Sequence, residues 1–551
     1  MKTAHMRGHL DDNEYLSKLF NPLAETIVFA LDNLRGDLIE VESYNPQEHD
    51  SLVEYQPINS VVDSYWVNVP FAIAAIEYNE DSQEHLYRII EPTLEEYEQE
   101  LLERLLEDTL DALIYRTSTD SGGTSEEILQ TQVRELLEEY AIQLSPESYY
   151  SIFYYLHREF LGYGKIDPLI HDPHIEDISC DGDNRPIFIY HDEYTNLKTD
   201  VSFNKEGLDD YVVKLAQEAD EHINIGDPIV GATLPDGSRL ELSLGTEVTP
   251  HGSAFTIRKY SEEPFTPIDL ILNGTFDVNQ MVYLWLAIEN NKSLLFAGGT
   301  ASGKTTSMNA VSMFIPPKTK IITIEDTREL ELYHENWLSS LTREGLQSDR
   351  EIDMYDLLRS ALRHRPDYII VGEVRGHEAV TLFQAMNTGH TTYSTMHADS
   401  VETVVNRLEN EPIDVPRAMI QALDVVSIQH MTTIDNKRQR RNKSLIEIDG
   451  IDNRTGDLNY TVAYQWNPSS DEMNRSGGNL LQQIQKENGW TQKERRLEVK
   501  RRTEFLELLT QQEITEYDKF TALINEYYND PKMALDKLKE GRSGVGQGDY
   551  S

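Results

Sequence analysis

A glycine-rich segment from Gly298 to Thr305 constrains the fold of this chain more than any other feature of its sequence. The segment has the spacing Gly-x-x-x-x-Gly-Lys-Thr, follows the apolar run SLLFA and continues into TTSMNAVSMF. In this context a buried strand leads into a tight loop and then into a helix, whose first backbone N–H groups face phosphate oxygens. The segment therefore predicts a parallel α/β domain that binds a nucleotide.

The chemistry of such a loop assigns a role to its last residues. Lys304 is expected to reach the β and γ oxygens of ATP, and Thr305 to ligate Mg²⁺. ATP and Mg²⁺ are thus the predicted cofactors. The predicted nucleotide-binding residues are Gly298, Gly299, Thr300, Ala301, Ser302, Gly303, Lys304, Thr305 and Thr306.

Two further apolar runs end in acidic residues. In RHRPDYIIVGEVRGHEA a buried strand should end just before Glu373, and in KIITIED a second strand ends at Glu325 and Asp326. Functional groups collect at the carboxyl ends of parallel strands, which places Glu373 beside the magnesium ion and the γ-phosphate. One acidic strand end could be a helix cap, but two in the same α/β unit favour nucleotide hydrolysis.

A segment rich in Gly, Thr and Ser, MNTGHTTYSTMHADS, follows the acidic strand end at Glu373 and contains His390 and His397. A residue that senses the γ-phosphate is expected at this place. Zinc binding is the weaker interpretation, because the spacing fits no usual zinc pattern and Cys180 is the only cysteine.

The charge of the chain limits its partners. Its 96 acidic and 49 basic side chains give a net charge of −47, spread along the whole sequence. Such a surface favours a source that lives in concentrated salt, where repulsion between carboxylates is screened, over an ordinary acidic protein. It argues against direct binding of nucleic acid or anionic lipid, which requires clustered Lys and Arg. The one basic cluster, KRQRR at 437–441, is interpreted as a solvated loop rather than a binding patch.

No run approaches the ~18 apolar residues of a membrane-spanning helix, and the first residues lack the apolar core of a signal peptide. We therefore expect a cytoplasmic protein that meets a membrane only through a partner. The patterns along the chain predict five segments. These are an acidic region of unknown role (1–90), a helical region (91–160), a turn-rich β region (161–265), the α/β ATPase domain (275–433) and a C-terminal extension of strands and charged helices (434–551).

Four motifs together resemble the type II/IV secretion ATPase superfamily. They are the loop at 298–305, TIEDTRELEL, IIVGEVRGHEA and GHTTYSTMHA, in the family's order and spacing; YGKIDPLIHDPHIEDISCDG and LPDGSRLEL … FTIRKY look like its N-terminal domain. The resemblance covers roughly residues 161–465. It implies a RecA-like C-terminal domain, a PAS-like α+β N-terminal domain and a homohexamer. The four-cysteine metal site of many bacterial members is missing.

The resemblance also implies roles for individual residues. Glu373 corresponds to the Walker B carboxylate and a metal contact beside Thr305, Glu325 to a candidate base, and His397 to the sensor. Arg239 and Arg258 match N-terminal-domain arginines that reach the γ-phosphate when a subunit closes, although each arginine alone would more often be a surface ion-pair partner.

The long acidic N-terminal part and the helical tail look like those of archaeal members that drive assembly of type IV pili through a polytopic membrane platform protein. Archaellum rotation, filament retraction and protein secretion by the same kind of motor stay open at this stage. A P-loop DNA translocase is an alternative of a different class, which the acidity and the histidine segment disfavour. A nucleotide-binding scaffold without turnover is disfavoured by the two acidic strand ends.

Overall fold

The computed structural model describes residues 52–116, 124–260, 264–343, 352–434, 437–452, 454–455 and 457–540. The chain divides into two compact units, Met1–Lys259 and Tyr260–Ser551. Among the described residues, none of the helices combines the length and the apolar character that crossing a membrane requires. Much of the predicted acidic region, including the run TIVFALDNL, lies outside the described residues.

One mixed sheet forms the body of the first unit. Its strands are β1 (Ser60–Asn68), β2 (Ala72–Asn79), β3 (Glu84–Ile90), β4 (Ile175–Cys180), β5 (Pro186–His191), β6 (Thr195–Ser202), β7 (Ile229–Thr233), β8 (Arg239–Ser243) and β9 (Ala254–Arg258). Their spatial order is β1-β2-β3-β6-β5-β4-β9-β8-β7. Neighbours are antiparallel except β3 and β6, which are parallel. The sheet therefore joins strands from the region 1–90 to strands from the region 161–265.

Among the described residues of the first unit, five α-helices accompany this sheet. They are α1 (Glu96–Arg116), α2 (Ser125–Glu139), α3 (Pro146–Phe160), α4 (Asp167–His171) and α5 (Lys205–Glu218). Thr124 caps α2 in a reciprocal arrangement with Glu127: each side chain accepts a hydrogen bond from the backbone N–H of the other residue. Helix α5 interrupts a region that the sequence patterns describe as strands and turns; it begins where the side chain of Asn204 accepts the backbone N–H of Gly207 at 2.9 Å.

A second sheet organises the second unit. Its strands are β10 (Leu294–Gly298), β11 (Ile321–Glu325), β12 (Trp337–Leu341), β13 (Tyr368–Val371), β14 (Thr391–His397), β15 (Val425–Ile434), β16 (Lys437–Ile451), β17 (Leu458–Asn467) and β18 (Glu472–Arg475). Their order is β12-β11-β13-β14-β10-β15-β16-β17-β18. The first six strands are parallel, and β15 to β18 continue the sheet as antiparallel neighbours. The fold class is thus α/β around a parallel sheet, as predicted.

Both faces of the parallel strands are covered. Along β10, Leu294 and Phe296 join one apolar cluster, while Leu295 and Ala297 join another. A continuous apolar run such as SLLFA is what burial on both faces requires. The covering helices are α6 (Pro267–Leu272), α7 (Val278–Glu289), α8 (Lys304–Ser312), α9 (Met354–Ala361), α10 (Glu378–Asn387), α11 (Val401–Glu409), α12 (Arg417–Ile420), α13 (Leu480–Glu487), α14 (Gln492–Gln511), α15 (Tyr517–Asn529) and α16 (Pro531–Lys539).

The basic cluster at 437–441 is not the solvated loop that we expected. It begins strand β16, which pairs with β15 through Met431 opposite Arg440 and His430 opposite Arg441. Arg441 is buried, and its guanidinium binds both carboxylate oxygens of Asp471 at 2.8 and 2.9 Å. The expectation failed because a carboxylate that is distant in sequence binds the guanidinium with both oxygens, and these two hydrogen bonds compensate for the loss of hydration when the arginine is buried. The predicted extension (434–551) thus shares its sheet with the predicted ATPase domain (275–433).

Candidate functional site

Strand register brings the phosphate loop and the histidine segment together. Strand β10 lies between β14 and β15, so that Gly298 is opposite His397 on one side and Gln429 on the other. A side chain on Gly298 could not be accommodated, because its Cβ would lie 2.4 Å from Oγ of Ser302 and 2.6 Å from the carbonyl oxygen of Gln429. The loop that follows is therefore packed closely against the end of β15.

The loop itself has the compact shape that phosphate binding needs. Gly303 has φ 83° and directly precedes helix α8, and Ala301 also has a positive φ of 57°. The carbonyl oxygen of Gly299 accepts hydrogen bonds from Oγ of Ser302 at 2.8 Å and from Nζ of Lys304 at 2.9 Å. The remaining predicted residues follow in order: Thr300 is exposed in the loop, and Thr305 and Thr306 are the next residues of α8. The nine predicted nucleotide-binding residues thus lie at the end of β10, in the loop that follows it and in the first turn of α8.

Three of the predicted functional side chains meet at the end of this loop. Nε2 of His397 lies 3.4 Å from Oε1 of Glu373, and Nδ1 of His397 lies 3.5 Å from Nζ of Lys304. Glu373 follows β13 and His397 ends β14, so the parallel strands deliver both side chains to the edge where β10 enters the loop. A carboxylate, an imidazole and an ammonium group therefore share one site.

The charges in this cluster influence one another. Burial acts to raise the pKa of Glu373, but the guanidinium of Arg375, together with His397 and Lys304, holds that pKa below its usual range. Burial and the neighbouring Lys304 lower the pKa of His397. Burial also lowers the pKa of Lys304, although Glu373 acts against it. The site thus keeps Glu373 ionised and His397 neutral near pH 7.

Arg375 completes this cluster, and the sequence analysis assigned it no role. Its Nη2 donates to Oε2 of Glu373 at 2.6 Å, and its Nη1 lies 3.8 Å from Oδ2 of Asp326. One guanidinium thus contacts the acidic residues that follow β13 and β11. The arginine lies two residues after Glu373 in GEVRG, so the motif itself contained the signal.

Glu325 differs from Glu373 in its environment. It ends β11 and is almost fully buried, with 1% of its surface exposed. Its Oε1 accepts the backbone N–H groups of Glu329 at 2.9 Å and Leu330 at 3.0 Å, whereas Oε2 has no hydrogen-bond partner among the described residues. Burial raises the pKa of Glu325 to about 8 against these two hydrogen bonds. Burial therefore favours the protonated form of Glu325, which can act as a base only after losing that proton.

A second arginine missed by sequence reasoning contacts the phosphate loop. Nε of Arg440, on β16, donates to the carbonyl oxygen of Ala301 at 3.1 Å. The Cδ of Arg440 would also lie 3.3 Å from a Cβ on Gly303. The contact is made at the two residues with positive φ, where the loop turns most sharply. Arg440 belongs to the basic cluster that sequence reasoning had interpreted as a solvated loop.

Arg239 and Arg258 lie in the first unit, whereas the phosphate loop lies in the second. They face each other across β8 and β9, in direct register. Nη2 of Arg239 lies 3.5 Å from Glu241, and Nε of Arg258 donates to Asp177 at 2.9 Å. Both side chains are substantially exposed. Their proposed approach to a γ-phosphate stays a prediction.

The residues present fit a magnesium nucleotide. The loop offers backbone N–H groups at a helix start, a lysine held by the loop, and a threonine on the helix, and the ionised Glu373 lies at the same edge. When bound, Mg²⁺ would neutralise charge on the phosphates, with Thr305 and Glu373 as the residues that would hold it directly or through water.

Comparison with known proteins agrees with the motifs. The family described as "Type II/IV secretion system protein" matches residues 164–549. The chain belongs to this family of secretion ATPases. The predicted fold class, a RecA-like P-loop domain preceded by a PAS-like α+β domain, is confirmed at the level of this family. A second family, "PilB3-like, N-terminal", matches residues 22–93, which the resemblance seen in the sequence did not cover.

Relatives of this secretion ATPase occur in archaea and bacteria. An uncharacterised protein of Methanocaldococcus jannaschii is 35% identical over 467 residues, or 80% of this chain and 85% of the relative. The conjugal transfer protein TrbB of Rhizobium radiobacter is 33% identical over 245 residues, or 43% of this chain and 72% of the relative. Among solved structures, the VirB11 ATPase of the Brucella suis type IV secretion system shares 25% identity over 53% of this chain and 93% of that chain, with a TM-score of 0.26.

Proposed function

We propose that this chain is a Mg²⁺-dependent ATPase that powers assembly of an archaeal type IV pilus-like filament. One observation supports the enzymatic part. At one sheet edge the neutral imidazole of His397 lies 3.4 Å from the ionised carboxylate of Glu373 and 3.5 Å from the ammonium group of Lys304, at the end of the phosphate loop. Such a set holds a nucleotide and orients a water molecule toward its γ-phosphate. The pilus part rests on the match of residues 22–93 to PilB3-like proteins and on the archaeal relative.

In this proposal Glu373 positions the attacking water, Lys304 stabilises charge on the phosphates, and His397 responds to the γ-phosphate through its contacts with both. Glu325 is the second carboxyl group and the candidate base. The working form is a homohexamer in the cytoplasm, held at the membrane by a polytopic platform protein. Arg239 and Arg258 would supply positive charge to the γ-phosphate when the N-terminal domain closes.

A pair of variants tests the enzymatic part. Lys304→Ala should weaken binding of ATP and ADP, because it removes the ammonium group that meets the phosphates. Glu373→Gln should keep ATP bound and stop phosphate release, because the amide preserves the shape but not the charge of the carboxylate. Phosphate release and nucleotide affinity are measured in concentrated KCl. Normal turnover of Glu373→Gln would remove Glu373 from its proposed role.

A genetic experiment tests the choice of machine. Deleting the gene should abolish surface filaments seen by electron microscopy, and the Glu373→Gln variant should fail to restore them. Loss of swimming with intact pili would favour an archaellum motor, and hyperpiliation would favour a retraction motor. Because the chain carries a net charge of −47, DNA should leave the ATPase rate unchanged. Strong stimulation by DNA would instead favour the translocase.

A further inference from the structure

Outside the nucleotide site, two histidines and an aspartate meet at the surface of the first unit. His174 precedes β4, while His191 ends β5 and Asp192 follows it in the turn to β6. Nδ1 of His174 lies 3.0 Å from Oδ2 of Asp192, and Nδ1 of His191 lies 3.0 Å from Oδ1. The three potential ligand atoms all lie within 4.8 Å of one another. His191 is buried, whereas His174 and Asp192 are about half exposed, so the cluster is open to solvent.

The hydrogen bonds around His191 fix which of its nitrogens carries a lone pair. The hydroxyl of Tyr65 donates to Oδ2 of Asp172 at 2.8 Å, so its oxygen accepts from Nε2–H of His191 at 3.1 Å. Nδ1 is then the acceptor nitrogen. The backbone N–H groups of Glu193 and Tyr194 point toward this nitrogen, at 3.1 and 3.4 Å.

This assignment leaves two electron-rich atoms facing each other. Nδ1 of His191 and Oδ1 of Asp192 are both acceptors, yet they are separated by 3.0 Å. Such a separation is favourable only when a cation or an added proton lies between the two atoms. The backbone N–H groups of Glu193 and Tyr194 share this nitrogen, and a metal ion that binds Nδ1 would replace both contacts.

We propose that His174, His191 and Asp192 bind a divalent transition-metal ion, for which Zn²⁺ is the best fit. Imidazole nitrogen and carboxylate oxygen are its usual ligands, at about 2.0–2.2 Å. Tetrahedral bonds of that length separate ligand atoms by about 3.3 Å; each histidine lies 3.0 Å from a different oxygen of Asp192, and one ligand atom from each residue lies within 4.8 Å of the others, so small side-chain movements would bring the three into this geometry. Three protein ligands leave the fourth position to water.

The surroundings resemble those of metal-bound histidines in general. A ligating histidine usually donates its other N–H to a fixed acceptor, which orients the ring. Here the fully buried Asp172 anchors both sides of the cluster. Its Oδ2 accepts from Tyr65, which holds His191, and its Oδ1 accepts the backbone N–H of His174 at 2.8 Å. Tyr65 lies on β1, so the metal site would tie this N-terminal strand to the β4–β6 part of the same sheet.

The test uses the untagged full-length chain, stripped with EDTA and free of nucleotide. Zn²⁺ is titrated by calorimetry in the presence of excess Mg²⁺, which occupies carboxylate-only sites on this acidic surface. Replacing Zn²⁺ by Co²⁺ should give the visible absorption of a four-coordinate ion. One equivalent of Zn²⁺ should bind tightly to the chain and should raise the thermal unfolding temperature of the first unit.

Matched variants decide whether the named residues form the site. His174→Ala and Asp192→Asn, both at half-exposed positions, should each abolish the tight equivalent, whereas His222→Ala, at an exposed histidine of the same unit, should not. Tyr65→Phe removes the acceptor for His191 and should weaken binding by about 10–100-fold. The proposal is overturned if the wild-type chain binds no equivalent of Zn²⁺ tightly, or if tight binding of Zn²⁺ survives both ligand variants. The cation of the cluster would then be a proton.

Discussion

The buried carboxyl of Glu325 makes the stability of the second unit depend on pH in a defined way. Burial raises its pKa from 4.5 to about 8. Folding therefore favours the protonated form, so stability is full below about pH 4.5, falls as the pH rises and levels off above about pH 8. The slope in this window is about 1.4 kcal/mol per pH unit, and the whole interval corresponds to ~5 kcal/mol. Glu325→Gln, which resembles the protonated form, should remove this part of the pH dependence.

The assay compares wild type, Glu325→Gln and the control Glu335→Gln, an exposed position of the same unit. Chemical unfolding is followed by tryptophan fluorescence, since Trp337 donates to Thr323 on β11 at 3.0 Å and reports on the strand that carries Glu325. The difference in free energy of unfolding between Glu325→Gln and wild type should grow by about 1.4 kcal/mol per pH unit up to about pH 8 and then stay constant. A difference that does not change with pH would refute the reasoning.

The same variant separates a structural from a catalytic carboxyl. If Glu325 is the base, kcat/KM of the wild type should rise with pH toward the pKa of the free enzyme, about 8. Glu325→Gln should then lose turnover at every pH while becoming more stable at alkaline pH. Full turnover combined with the expected stability change would make Glu325 a buried structural residue only.

Three other predictions concern arginines and salt. Arg239→Ala and Arg258→Ala should each lower kcat by a factor on the order of 10² and leave ADP binding intact, as expected for groups that act in the transition state. A near-normal kcat in both variants would show that the two arginines are only surface ion-pair partners. Arg440→Gln should raise KM for ATP roughly fivefold with little change in kcat, since it removes a hydrogen bond of about 1 kcal/mol to the loop, whereas Arg438→Gln on the same strand should not. Lowering the KCl concentration should destabilise the chain, because its net charge of −47 is then less screened; full stability and activity in dilute buffer would contradict this.

The meeting of the predicted site residues at one sheet edge was predictable from sequence because these residues follow buried strands. Each apolar run that ends in a functional residue, such as SLLFA before the loop or YIIV before Glu373, becomes a parallel strand, and parallel strands deliver their ends to one edge. The order of the strands was not needed for this prediction. Register then supplies the detail that Gly298 is opposite His397.

Other features depend on partners that sequence patterns do not show. Arg441 becomes buried only because Asp471 meets it from the next hairpin, and Arg440 reaches the loop only because β16 extends past the end of β10. Helix α5 was missed although its buried residues Leu208, Tyr211, Val212, Leu215 and Ala216 have helical spacing, because strands and turns dominate the region around it. The cluster of His174, His191 and Asp192 joins two separate turns, which no motif connects.

Charge balance at the proposed nucleotide site would allow a chain with net charge −47 to hold a polyanion. Burial raises the pKa of Glu325 and so disfavours one negative charge at the edge of the sheet. The charge of Glu373 is matched by Arg375, whose second nitrogen also approaches Asp326. Lys304, held to the loop through Gly299, then faces the phosphate position with its charge only partly offset. Because attraction between close, partly buried charges is screened less by salt than attraction across an exposed surface, this local arrangement keeps its strength in concentrated KCl.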